Sequence, residues 1–129
     1  MATPLFGDIH YGYYPPRDEQ AKTANYTISA KEAGTMFTNA GASGAVVFTL
    51  PTLSPYLLFY FRVVADQDVT VGSAAGNDMV AYNDVDASSV AFSTGTQKIG
   101  GGLCVFSNAA GTDWHVVNMS AGANTITVA

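Results

Sequence analysis

The chain is poor in charge, histidine and cysteine. Asp, Glu, Lys and Arg make up only 12% of its 129 residues, against a usual share of about 25%. Its five cations, Arg17, Lys22, Lys31, Arg62 and Lys98, are scattered, and the net charge is −5. No basic patch is present to neutralise a phosphate backbone, so nucleic acid is excluded as a partner. The single cysteine, Cys104, rules out an intramolecular disulfide; in the run Leu103-Cys104-Val105-Phe106 it reads as a small buried hydrophobe. The two histidines, His10 and His115, have no ligand partner at metal-binding spacing, and no cofactor is expected. No basic start precedes an apolar stretch, and no apolar run is long enough to span a bilayer. The chain is therefore expected to be made in the cytoplasm, without a membrane partner.

Catalytic signatures are equally scarce. There is no G-x-S-x-G, and His115 is the only base in the body of the chain that a serine nucleophile could use. Gly100-Gly101-Gly102 lacks the G-K-[ST] ending of a phosphate loop and reads as a bulge or a close backbone approach. Glu19 and Glu32 are the only glutamates, and most aspartates sit in turn-like stretches, which leaves no recognisable carboxylate pair for glycoside hydrolysis. The expectation is a protein that is not an enzyme.

What is abundant is apolar. The hydrophobic class reaches 48%, with seven Tyr and seven Phe. A chain of this length folds as one domain, and so few charges cannot cover its surface. Some apolar surface is expected to meet another subunit. Residues 1–25 crowd Phe6, Tyr11, Tyr13, Tyr14, Pro15 and Pro16 together without a period of 2 or 3.6, and read as an extended N-terminal arm. Its rings are expected to lie across a neighbouring surface or back on the chain's own domain. Asp18 to Ala24 reads as a short helix.

Residues 26–129 read as a β domain. Ser29-Ala30-Lys31-Glu32 matches the capping box, and Gly34 follows where a helical turn would stop. Thr35 to Asn39 and Val46 to Leu50, joined by the small residues Ala40 to Gly44, read as a β-hairpin closed by Pro51. In the strand Tyr56 to Ala65, Leu57, Phe59, Phe61 and Val63 share one face and Tyr56, Leu58, Tyr60, Arg62 and Val64 the other. With both faces largely apolar, one is expected on the core and the other against a second subunit or the arm. Tyr56, Leu58, Tyr60 and Arg62 are the candidate oligomer interface; Arg62 either pairs across it or sits at its rim.

Further strands are predicted at Asp68 to Gly72, Met79 to Tyr82, Ser89 to Ser93, Gln97 to Gly101, Leu103 to Ser107, Trp114 to Met119 and Thr125 to Val128. The fold class is all-β, a single antiparallel β-sandwich or jelly-roll-like domain. No internal repeat of fixed period is visible. The pairs Asp66 with Asp68 and Asp84 with Asp86 could face a calcium ion, but neither is followed by the glycine and glutamate of an EF-hand loop. Trp114 shares a face with Val116 and is expected in the core rather than on a sugar-stacking surface.

The run Met36-Phe37-Thr38-Asn39-Ala40-Gly41-Ala42, then Val46-Val47-Phe48-Thr49-Leu50-Pro51, resembles a module of tailed-bacteriophage virion proteins, in which an Asn- and Gly-containing turn leads into a strand ending in T-L-P. Phe59-Tyr60-Phe61 resembles its aromatic strand and Gly111-Thr112-Asp113-Trp114-His115-Val116-Val117 its later tryptophan strand. The resemblance implies a β-sandwich found in capsid decoration (cement) proteins and in tail-fibre proteins, commonly as trimers, with no catalytic residues. It leads to the expectation of a homotrimer on the outside of a phage capsid, bound to the major capsid protein and stabilising the shell. Phe6, Tyr11, Tyr13 and Tyr14 would anchor the arm. A short arm and an end at Val128-Ala129 favour a stand-alone module over a fibre; the alternative is a carbohydrate- or receptor-binding module of a tail appendage.

Overall fold

Short runs of aromatic and β-branched residues, punctuated by Gly, Asn and Ser, favour strands too brief to stand alone and able to persist only when stacked. The computed structural model describes residues 16–120, 122 and 124–129, so the calls on Phe6, Tyr11, Tyr13 and Tyr14 lie outside the described residues. The described strands are β1 (Asp18–Ala21), β2 (Tyr26–Thr27), β3 (Thr35–Thr38), β4 (Val46–Thr49), β5 (Leu58–Arg62), β6 (Val69–Gly72), β7 (Met79–Ala81), β8 (Asp84–Ala87), β9 (Ser89–Phe92), β10 (Gly102–Ser107), β11 (Trp114–Asn118) and β12 (Thr127–Val128). They form two packed sheets, in the orders β1-β3-β5-β10-β11-β7-β8 and β12-β9-β6-β4-β2. The expected all-β sandwich is what the chain adopts.

The winding differs from a purely antiparallel sandwich. Each of the first six strands joins the sheet opposite to its predecessor's, so β1, β3 and β5 run parallel in one sheet and β2, β4 and β6 parallel in the other. Antiparallel pairing begins with β7 and β8 and continues where β9 meets β6 and β10 meets β5. The predicted hairpin between β3 and β4 is accordingly not formed, since the two strands lie in different sheets. In the arrangement adopted, Phe37 of β3 and Phe48 of β4 meet across the core at 5.6 Å. The segment expected as a helix, Asp18 to Ala24, instead supplies β1, whose backbone pairs with β3. Gln97 to Gly101 is not a strand, and β8 arises where a turn was expected.

The capping box is present as predicted. Ser29 caps the single 3-10 turn Ala30–Glu32, its N–H donating to Glu32 Oε1 at 2.9 Å, and Gly34 takes φ +89° beyond it. Gly101 confirms the close-approach reading of the glycine run, because a Cβ there would stand 2.6 Å from the Phe92 ring. In the core, Phe37 stacks on Phe61 at 5.9 Å, while Phe48 and Phe61 (5.4 Å) and Phe59 and Trp114 (6.1 Å) meet with their rings tilted. Asn39 is fully buried at the end of β3. Its Oδ1 accepts from the N–H groups of Val64 (2.8 Å) and Ala65 (2.9 Å), and its Nδ2 donates to the Ala65 carbonyl (3.0 Å).

Two contacts make stability sensitive to alkali. Tyr26 Oη donates to Glu32 Oε2 at 2.7 Å; this bond, with burial and the Glu32 charge, raises the phenol above its ordinary 10.0. Lys98 Nζ lies 3.0 Å from Asp68 Oδ1 and 3.7 Å from Asp66 Oδ1, and chiefly the Asp68 bond raises the ammonium above 10.5. Both groups hold their proton more tightly folded than unfolded, so their contribution is complete below those ordinary values and lost as pH rises through the raised ones. Urea unfolding should therefore show a decline above pH 10.0 that is shallower in a Tyr26→Phe/Lys98→Met double variant. An equal decline in the variant would assign the loss to other groups.

Candidate interaction surface

Alternation along β5 sends Phe59 and Phe61 inward and leaves Leu58, Tyr60 and Arg62 on the outer face of the seven-stranded sheet. Lateral register then decides what surrounds them. Met36 of β3 lies beside Tyr60, Tyr60 beside Cys104 of β10, and Cys104 beside Val117 of β11. A second row runs Leu58, Phe106, His115 and Val80 across β5, β10, β11 and β7. Phe106 and His115 stack at 5.4 Å with an interplanar angle of 14°. Phe106 is 37% exposed, Val117 46% and Met119, just past β11, 47%.

The opposite outer face has another chemistry. Across the five-stranded sheet the corresponding row is Val47, Thr70, Ala91 and Thr127, in which Val47 is the one large apolar side chain beside small and hydroxyl-bearing neighbours. One side of the sandwich is dressed for solvent, and the other carries the large apolar side chains that mark contact surfaces.

Of the interface residues predicted from sequence, the fold brings Leu58, Tyr60 and Arg62 onto this face. Tyr60 is only 6% exposed, Leu58 is half-buried and Arg62 is exposed. Tyr56 stands apart: β5 begins two residues later, and Tyr56 occupies the preceding turn with φ +62° and 78% exposure. Sequence reading missed Met36, Cys104, Phe106, His115, Val117 and Val80 as members of the surface. Alternation within Leu103 to Phe106 carried the signal for Cys104 and Phe106, but only the pairing with β5 and β11 tells which alternate set faces out. Cys104 is half-buried, and desolvation raises its thiol above the ordinary 9.0, which keeps it protonated and poorly nucleophilic at neutral pH.

No protein-family model, curated protein or solved structure matches this chain. Its surface has to be read from its own chemistry. Among the described residues no group of three or more His, Cys, Asp or Glu is placed to hold a metal ion. Of the acidic pairs weighed for calcium, Asp66 and Asp68 face the Lys98 ammonium, while Asp84 Oδ1 accepts from the N–H of Asp86 within β8. Trp114 lies on the inner face of β11, fully buried, as expected of a core residue. No described helix is long and apolar enough to cross a membrane.

Proposed function

We propose that this chain is a structural, non-enzymatic virion subunit that binds the outside of a phage capsid as a homotrimer and stabilises the shell against which it docks. The observation that carries the reading is the contrast between the two outer faces: the Met36-Tyr60-Cys104-Val117 row with its Phe106-His115 neighbour, against the Val47-Thr70-Ala91-Thr127 row. Burying the apolar face between subunits removes it from water, and the surplus free energy favours the assembled state by mass action. The virion-protein resemblance of Met36 to Pro51 supports the capsid as partner. In this reading Arg62 closes the rim of the interface, and the arm residues Phe6, Tyr11, Tyr13 and Tyr14 reach a neighbouring capsid subunit. The carbohydrate-binding alternative gains nothing from Trp114, whose ring no sugar can reach.

Val117→Glu tests the reading, with Ala91→Glu as its control on the other face. A charge forced into a desolvated interface costs several kcal/mol, so Val117→Glu should weaken binding to purified shells about a hundredfold or more and dissociate the oligomer in sedimentation. Ala91→Glu should do neither. Both variants place the charge away from the core and should leave the chain folded; Ala91→Glu should keep its Tm, and Val117→Glu should lose only what association contributes. Undiminished shell binding by Val117→Glu would overturn the assignment of this face, and absence of the protein from purified virus particles would overturn the function itself.

A further inference from the structure

At the end of the sandwich where β4 and β6 finish, the following loops and the start of β11 border a partly open cavity of about 170 Å3, lined among others by Pro51, Thr52, Leu53, Ala75, Asp78 and Trp114. Asp78 Oδ1 is closed off from solvent and has no hydrogen-bond partner; among the described residues it is the one buried side-chain polar atom left so. An unpaired carboxylate oxygen in such a place is costly. No Lys, Arg or His lines the cavity to relieve it. A turn of the Asp78 side chain toward the cavity brings that oxygen within reach of a donor there.

Water fits this space badly. A water held there needs two to four polar partners. The lining offers little beyond the Asp78 carboxylate and the hydroxyls of Thr52 and Ser73, and Ser73 Oγ already accepts from the Gly76 N–H. The remaining walls, Pro51, Leu53, Ala74, Ala75 and Trp114, are apolar. A slender group with a methylene body and one cationic tip matches both parts of the site, and a chain of net charge −5 attracts cations to its surface.

We propose that this cavity binds an alkylammonium group, Asp78 taking the ammonium and the apolar walls the methylene stem. Two sources present that chemistry: the side chain of a lysine on a neighbouring protein, and a free diamine.

The test uses the whole chain and its own reporter, since Trp114 is its only tryptophan. Titration with n-butylammonium should shift Trp114 fluorescence and the amide resonances of Leu53, Ser73 and Ala75 saturably. Equimolar n-butanol, the neutral counterpart, should bind about tenfold more weakly or not at all, as loss of a charged hydrogen bond demands. Asp78→Asn should lower n-butylammonium affinity by a similar factor. Tighter binding of Nα-acetyl-lysine methylamide than of putrescine would identify a partner's lysine as the source, and the reverse order a free diamine; either supports the site. No saturable response to n-butylammonium, an equal response to n-butanol, or an unchanged affinity in Asp78→Asn would each overturn it. The comparison of n-butylammonium with n-butanol needs no variant, so it decides the matter even if Asp78→Asn fails to fold. None of these outcomes depends on shell binding.

Discussion

Phe37→Ala should cost about 3–5 kcal/mol of unfolding free energy, the range for deleting a buried aromatic ring. Phe37 is fully buried and meets Tyr26, Phe48, Phe59 and Phe61 with ring centroids between 5.6 and 6.5 Å apart. Those partners come from β2, β4 and β5, so the ring joins both sheets and successive turns of the winding. Its removal leaves a void bordered by rings whose own backbones are fixed in ladders, which limits collapse into the space. At roughly 4 °C per kcal/mol for a domain between the small and medium size classes, Tm should fall by about 12–20 °C. Phe106→Ala, on the outer face, should cost less than about 1 kcal/mol in the free chain, as surface substitutions generally do. Urea unfolding followed by circular dichroism measures both, and comparable losses at the two positions would contradict the placement of the core.

Asn39→Ala is the second large effect. It strips the partner from the N–H groups of Val64 and Ala65 in one change and leaves the Ala65 carbonyl only its bond from the Gln67 N–H. Each of the two orphaned N–H groups costs about 1–3 kcal/mol; partial rearrangement keeps the total below their sum, at about 2–4 kcal/mol. Asn39→Asp distinguishes the donor from the acceptors. A carboxylate keeps the two acceptor bonds but turns a lone pair on the Ala65 carbonyl and buries a charge, so the variant should be as unstable as Asn39→Ala at neutral pH. Burial raises such a carboxyl above the ordinary aspartate value of about 3.9, and its protonated form can donate to Ala65. The variant should therefore regain stability on acidification, where the wild type does not. Identical pH profiles for the two would remove the donor bond from the account.

Strand existence was legible because it depends on local alternation and on turn residues. Leu103 to Ser107, Val46 to Leu50 and Trp114 to Met119 each announce a strand, and Ser29 with Glu32 announces its cap. Partnership was not legible. Two strands linked by a small-residue turn normally pair antiparallel, and parallel neighbours normally need a helical crossover; here the crossover that parallel pairing requires is supplied by a strand of the opposite sheet. Phe37 and Phe48 are equally satisfied by either arrangement until a second sheet exists. Asn39 looked like a turn residue, and its true partners, Val64 and Ala65, lie far along the chain. The interface residues on β5 could be named because their alternation is self-contained, whereas Met36, Cys104 and Val117 join them only through register. Tyr56 was misplaced because nothing local shows that alternation stops at Leu57. Asp78 gave no signal, since its isolation comes from loops following β4 and β6.

The alternating course of β1 to β6 also governs how the protein can be made. Within that course each parallel pair closes through one intervening strand, so the loops are moderate and the entropy of closing each is similar. The exception is β5, whose second neighbour, β10, is synthesised only after β6, β7, β8 and β9. A nascent chain emerging from the ribosome therefore carries the Phe59 and Phe61 strand with one flank bare until the ladder from Gly102 to Phe106 arrives to cover it. Such non-local closure places folding in the slow class, milliseconds to seconds, and makes that flank the stretch most in need of shielding while translation runs.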